Sequence, residues 1–100
     1  MNNIVLKKVI HLPRNLCGKQ AINFIIDFRK KVNEDVREVT LKAEKLELID
    51  SGSIGFLIVE SIRLQRLGGC MIIENLDKEI KESFLTASLD ALITFKDTTS

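Results

Sequence analysis

Ile49-Asp50-Ser51-Gly52-Ser53-Ile54-Gly55 lies where two hydrophobic rhythms meet. Before it, Leu46, Leu48 and Ile49 are apolar and predict the end of a buried strand. After it, Ile54, Leu57, Ile58 and Ile62 recur at three- and four-residue steps, the spacing of a helix. Gly68-Gly69 closes that helix, since glycine accepts the left-handed conformation a helix end needs. An Asp, two Ser and two Gly therefore sit where a strand turns into a helix. The first N–H groups of a helix lack internal acceptors and carry partial positive charge, so the place suits an anion or a phosphoryl group. Asp50 and Ser51 are also good N-cap residues, and capping alone would explain them.

Working outward, residues 4–12 are rich in Ile, Val and Leu and predict a strand that Pro13 stops. Asn15 then serves as a cap for a helix over about 17–32. Ala21, Ile25, Phe28 and Val32 form its apolar face, which Ile22 and Ile26 widen. Arg29, Lys30 and Lys31 complement the helix dipole as a solvated end. In residues 37–43, Val39, Leu41 and Ala43 alternate with Glu38, Thr40 and Lys42. That is a strand with one buried and one wet face, so helices should cover mainly one side of the sheet. Residues 70–76 predict a short apolar strand, with Cys70 in the core. Asp77 caps a third helix with Ile80, Phe84 and Ala87 inward, and residues 92–95 a last strand. Residues 96–100 are a polar tail expected to fray. The order β-α-β-α-β-α-β predicts one α/β domain over residues 1–100. Its sheet would be mixed but mainly parallel, with about four strands.

Composition narrows the function. The 100 residues carry 15 basic and 14 acidic side chains, a net charge of +1, so no strong field is expected to draw in nucleic acid or an acidic membrane. Five Phe without Tyr or Trp supply little stacking surface for single strands. No apolar run is long enough for membrane insertion and no signal peptide is evident, which fits a cytoplasmic protein. Cys17 and Cys70 have no metal-ligand spacing. Neither a metal nor a cofactor is expected.

Ser51-Gly52-Ser53-Ile54-Gly55 is one residue away from the nucleophile elbow G-x-S-x-G and has the strand-turn-helix context. A hydrolase would need a general base, and the single histidine, His11, stands early on the first strand. The Gly-Lys-Ser/Thr of a phosphate-binding loop is absent. No pair of carboxylates is placed for acid–base work, so the chain reads as a binding module rather than an enzyme.

The run Leu48-Ile49-Asp50-Ser51-Gly52-Ser53-Ile54-Gly55-Phe56-Leu57, with the later Arg66-Leu67-Gly68-Gly69-Cys70-Met71-Ile72-Ile73, resembles the STAS domain. That family includes the bacterial anti-sigma-factor antagonists. Its signature is an apolar residue, Asp-Ser-Ser-Gly-Leu-Gly, a helix, Gly-Gly and an apolar strand. The element order matches over nearly the whole chain. Gly52 stands where the family has its second Ser, and Ser53 where it has Gly. The family's extra N-terminal strand and last helix have little room.

The resemblance implies an anti-sigma-factor antagonist that binds an anti-sigma factor with serine-kinase activity. Phosphorylation at Ser51 would switch it off, a serine phosphatase would reverse the modification, and transcription would be regulated by partner switching. The implied partner surface comprises Asp50, Ser51, Gly52, Ser53, Phe56 and Asn15. The helical wheel puts Phe56 away from the core, near Glu60 and Arg63, either as an exposed anchor or packed under a neighbouring loop. Ser53 is a second possible acceptor. An alternative is an unphosphorylated STAS subunit of another assembly, such as a lipid-transport ATPase complex. A monomer or weak dimer is expected.

Overall fold

The structure is a computed structural model that describes residues 6–87 and 92–98. Four strands form the main sheet: β1 (Leu6–His11), β3 (Val36–Lys42), β5 (Cys70–Glu74) and β6 (Ile93–Lys96), in the order β1-β3-β5-β6. All three neighbouring pairs are parallel. Three helices intervene: α1 (Gly18–Lys31), α2 (Ser51–Arg66) and α3 (Lys78–Thr86). Each crossover adds the next strand on the same side of the last. Right-handed connections then place every helix on one face.

Side-chain burial confirms this. Val39, Leu41, Met71, Ile73 and Ile93 point into the core at 3 % exposure or less. Their neighbours on the opposite face, Glu38, Thr40, Lys42 and Ile72, are half-buried, and Thr94 is exposed. Lys7–Glu38 and Lys42–Glu74 ion pairs, at 3.4 and 2.8 Å, cross neighbouring strands on that open face. Phe28 from α1, Leu57 and Leu64 from α2, and Phe84 from α3 close the core over the inner side.

Several expectations are corrected. The apolar residues before Asp50 do not belong to the main sheet. β4 (Leu48–Ile49) pairs with β2 (Asn15–Leu16) in a separate two-stranded sheet, leaving Leu48 58 % exposed. Ile22 and Ile26 do not widen the core face of α1; they are 59 % and 50 % exposed. The buried arc of α2 is Ser53, Leu57, Ile58, Glu60, Ser61 and Leu64, while Ile54 and Ile62 are only half-buried. Glu60, expected outside, is buried because Arg63 pairs with it at 2.9 Å.

Cys70 lies half-buried on the open face, its Sγ 3.6 Å from Glu38 Oε1. Burial and the neighbouring Glu38 carboxylate push its thiol pKa up. Ala87 is exposed. In the tail, the Thr98 N–H donates to Asn75 Oδ1 and its hydroxyl accepts from Asn75 Nδ2, each at 2.8 Å. Residues 4 and 5 of the expected first strand and 99–100 of the tail lie outside the described residues.

Candidate functional site

The site is built where the two small strands meet two helix starts. Pairing of Asn15 with Leu48 and Leu16 with Ile49 brings the start of α1 beside the start of α2. The Asp50 N–H donates to the Leu16 carbonyl at 3.1 Å and locks the junction. Asp50 is the N-cap of α2, and its Oδ1 accepts the Ser53 N–H at 2.8 Å. Its Oδ2 accepts the Gly18 N–H at 3.1 Å, from the first residue of α1. One carboxylate therefore answers the unpaired N–H groups of two helices.

This second bond was not visible as a spacing, because 32 residues separate its partners. Gly18 has φ +53, a conformation that costs a side-chain-bearing residue about 1 kcal/mol or more. Asn15 does not cap α1. Its Oδ1 accepts the Cys17 N–H at 2.8 Å in a local turn that feeds the strand into the helix.

The Ser53 hydroxyl and N–H, and then the Gly18 N–H, hold the Asp50 carboxyl below the usual carboxylate range. Of these, the two amides are the bonded donors, since the hydroxyl's single proton is directed at the Leu16 carbonyl 2.9 Å away. A depressed carboxyl stabilises the fold above its unfolded pKa, about 3.9, and loses that effect as pH falls through the folded value. Asp50→Asn cannot titrate there. Its melting temperature should lie below wild type at pH 6, and the difference should narrow progressively as the pH falls below about 4. Thermal melts across pH test this, and a difference that ignores pH would contradict the ionised double cap.

The two serines of the motif have opposite fates. Ser51, the first residue of α2, is exposed, as is Gly52. Ser53, expected on the partner surface, is 4 % exposed with its hydroxyl tied to Leu16. It is a structural residue of the junction. Phe56 is half-buried, its ring edge-on to Phe28 at 5.3 Å and beneath the Arg29 guanidinium at 5.5 Å. It packs against α1 rather than projecting freely.

Beside Ser51 the surface offers a hollow instead of a knob. Ile49, Ile54 and Ile58 line a depression of about 550 Å³ whose other wall is Ser83, Thr86 and Ala87 of α3. Asp50, Ser51 and Gly52 thus stay together at the electropositive start of α2. Ser53, Phe56 and Asn15 buttress them from behind and from the side.

Among the described residues, no helix is long and apolar enough to cross a membrane. Comparison with curated proteins and with solved structures gave no match. STAS domains occur in anti-sigma-factor antagonists among other proteins and mediate contacts between proteins. The family model described as STAS domain matches residues 2–100, and with the one-sided parallel sheet and the Asp-capped middle helix it shows that this chain belongs to the STAS domain family.

Proposed function

We propose that this protein is a partner-switching regulator, an anti-sigma-factor antagonist whose unmodified form binds an anti-sigma factor with serine-kinase activity. Ser51 is the phosphoacceptor, and a serine phosphatase restores the binding form. One observation carries the reading: Ser51 is open at the first position of α2, whereas Ser53 two residues on is enclosed. A kinase reaches the first hydroxyl and not the second.

The chemistry is consistent with the place. A phosphoryl group brings roughly −1.5 to −2 charges at neutral pH, which the start of a helix tolerates. The docked partner has no such tolerance. Its apolar side chain would enter the hollow flanked by Ile49, Ile54 and Ile58, with Ser51 at the edge. A phosphate there meets a desolvated surface. The protein need not change shape for the complex to fall apart.

Gly52 in place of the family's Ser favours a second reading, an unphosphorylated STAS subunit of another assembly such as a lipid-transport ATPase complex. The two are separated by incubating the protein with ATP and a serine kinase of the anti-sigma type, then mapping phosphate by mass spectrometry. Phosphate on Ser51, absent from Ser51→Ala, supports the switch. A protein that binds its partner and takes no phosphate supports the subunit reading.

A further inference from the structure

The near-neutral overall charge hides a strong separation. α1 and α2 together carry six basic and two acidic side chains, while the whole chain is only +1, so the remainder is net acidic. Both acids are already engaged: Asp27 with Lys31 at 2.8 Å and Glu60 with Arg63 at 2.9 Å. Among the described residues, Lys19, Arg29, Lys30 and Arg66 have no carboxylate within ion-pair distance. The two helices lie side by side, held by Asp50 at their starts and by Phe28 against Phe56 farther along.

The same outer surface is unexpectedly apolar. Lys19, Ile22, Ile26 and Lys30 step along α1 by three or four residues and so share its outward side. Ile22 and Ile26 are 59 % and 50 % exposed, and Val59 of α2 is 60 % exposed. Aliphatic side chains among cations that lack a carboxylate partner are the pattern of a helix that lies in a membrane interface, its cationic groups reaching the headgroups. A protein interface core is instead depleted in Lys and anchored by Trp, Tyr or Arg.

We propose that the outer face of α1 and α2 docks reversibly on an anionic lipid surface. Ile22, Ile26 and Val59 enter the headgroup boundary, and Lys19, Arg29, Lys30 and Arg66 meet the lipid phosphates. The charge that favours this face is local to the two helices, which carry six basic and two acidic side chains. This is peripheral attachment, and it stands apart from the role assigned to Ser51. Each Lys or Arg near such a surface contributes about fivefold in affinity, and the attraction weakens as salt shortens the screening length.

The test is flotation of the full chain with vesicles of phosphatidylcholine alone and with vesicles of equal parts phosphatidylglycerol and phosphatidylcholine. The protein should float with the anionic vesicles at low salt, be released as salt rises, and stay unbound with neutral ones. Lys19→Glu/Lys30→Glu should weaken binding by about thirtyfold or more. Ile26→Asp should weaken it as well, with an unchanged circular dichroism spectrum because the side chain is already in solvent. Lys45→Glu/Lys96→Glu, an equal charge change outside these helices with Lys96 on the open face of the sheet, should bind as wild type does. Absence from both vesicle types, equal binding to both, or full binding by Lys19→Glu/Lys30→Glu would each overturn the proposal. The first of these would leave a solvated basic face or one reserved for an acidic protein.

Discussion

Ser51→Asp should weaken the complex with the anti-sigma kinase by about a hundredfold, while Ser51→Ala binds as wild type does. The new charge must be desolvated beside the apolar contact, and if the partner also sets a carboxylate ~6 Å away, that like-charge pair alone costs roughly 3 kcal/mol at an effective dielectric of ~20. That is about two decades in dissociation constant. A true phosphate, with nearly twice the charge, should do at least as much. Isothermal titration of the two variants separates charge from the mere loss of the hydroxyl. The substitution should leave the fold alone, because Ser51 is exposed at the positive end of α2 and accepts an anion there. Ser53→Asp should behave differently. It buries a charge at a position that is 4 % exposed, and loses stability before it can report on binding.

Gly69→Ala should be the most damaging of the glycine-to-alanine substitutions. A Cβ at Gly69 would stand 1.7 Å from the Arg37 carbonyl oxygen and 2.5 Å from its carbon. The obstacle is main chain at the start of β3, next to residues paired with β1 and β5, and it cannot swing away as a side-chain tip could. Either the end of α2 or the β3–β5 pairing must shift, at a cost of about 3 kcal/mol or more. For a domain of this size that lowers the melting temperature by more than about 10 °C. Gly68→Ala should cost less, about 1 kcal/mol, since its site is open and only its φ of +83 resists a side chain. Gly55→Ala is helical and unobstructed and should be neutral or stabilising by up to about 1 kcal/mol. Thermal melts of the three variants should rank them in that order.

The contrast between Gly68 and Gly69 also shows how much a local pattern can convey. The Gly-Gly pair marked the end of α2 correctly, and Gly68 does take the left-handed turn expected there. The need for Gly69 arises from a strand more than thirty residues away and leaves no trace in its neighbourhood. β3 was legible for the opposite reason. Its alternation is a direct image of one face against the core and one against water, and Val39, Leu41 and Ala43 are all buried.

α2 was legible as a helix but misjudged in its rotation. Hydrophobic spacing counts only apolar residues, whereas Ser53, Glu60 and Ser61 occupy the buried arc with their polar atoms satisfied by Leu16, Arg63 and Ile58. The same blindness hid the site's architecture. Asp50 was a recognisable cap for its own helix. Its second bond, to Gly18, depends on the β2–β4 pairing, and two-residue strands carry no periodic signal. The outward placing of Ile22 and Ile26 is invisible in an amphipathic stripe, because three-and-four spacing cannot say how wide a neighbour's cover will be. Net charge misled likewise, since +1 overall is compatible with a basic face on two helices and an acidic remainder.

The accessibility of one hydroxyl decides the regulatory role. Its most direct measurement is the affinity of the wild-type chain for its kinase partner before phosphorylation, after phosphorylation mapped to one residue, and after phosphatase treatment. Phosphate on Ser51, a loss of about a hundredfold and full recovery are expected. Phosphate on another residue, or an affinity that does not change when Ser51 is fully modified, would contradict the switch.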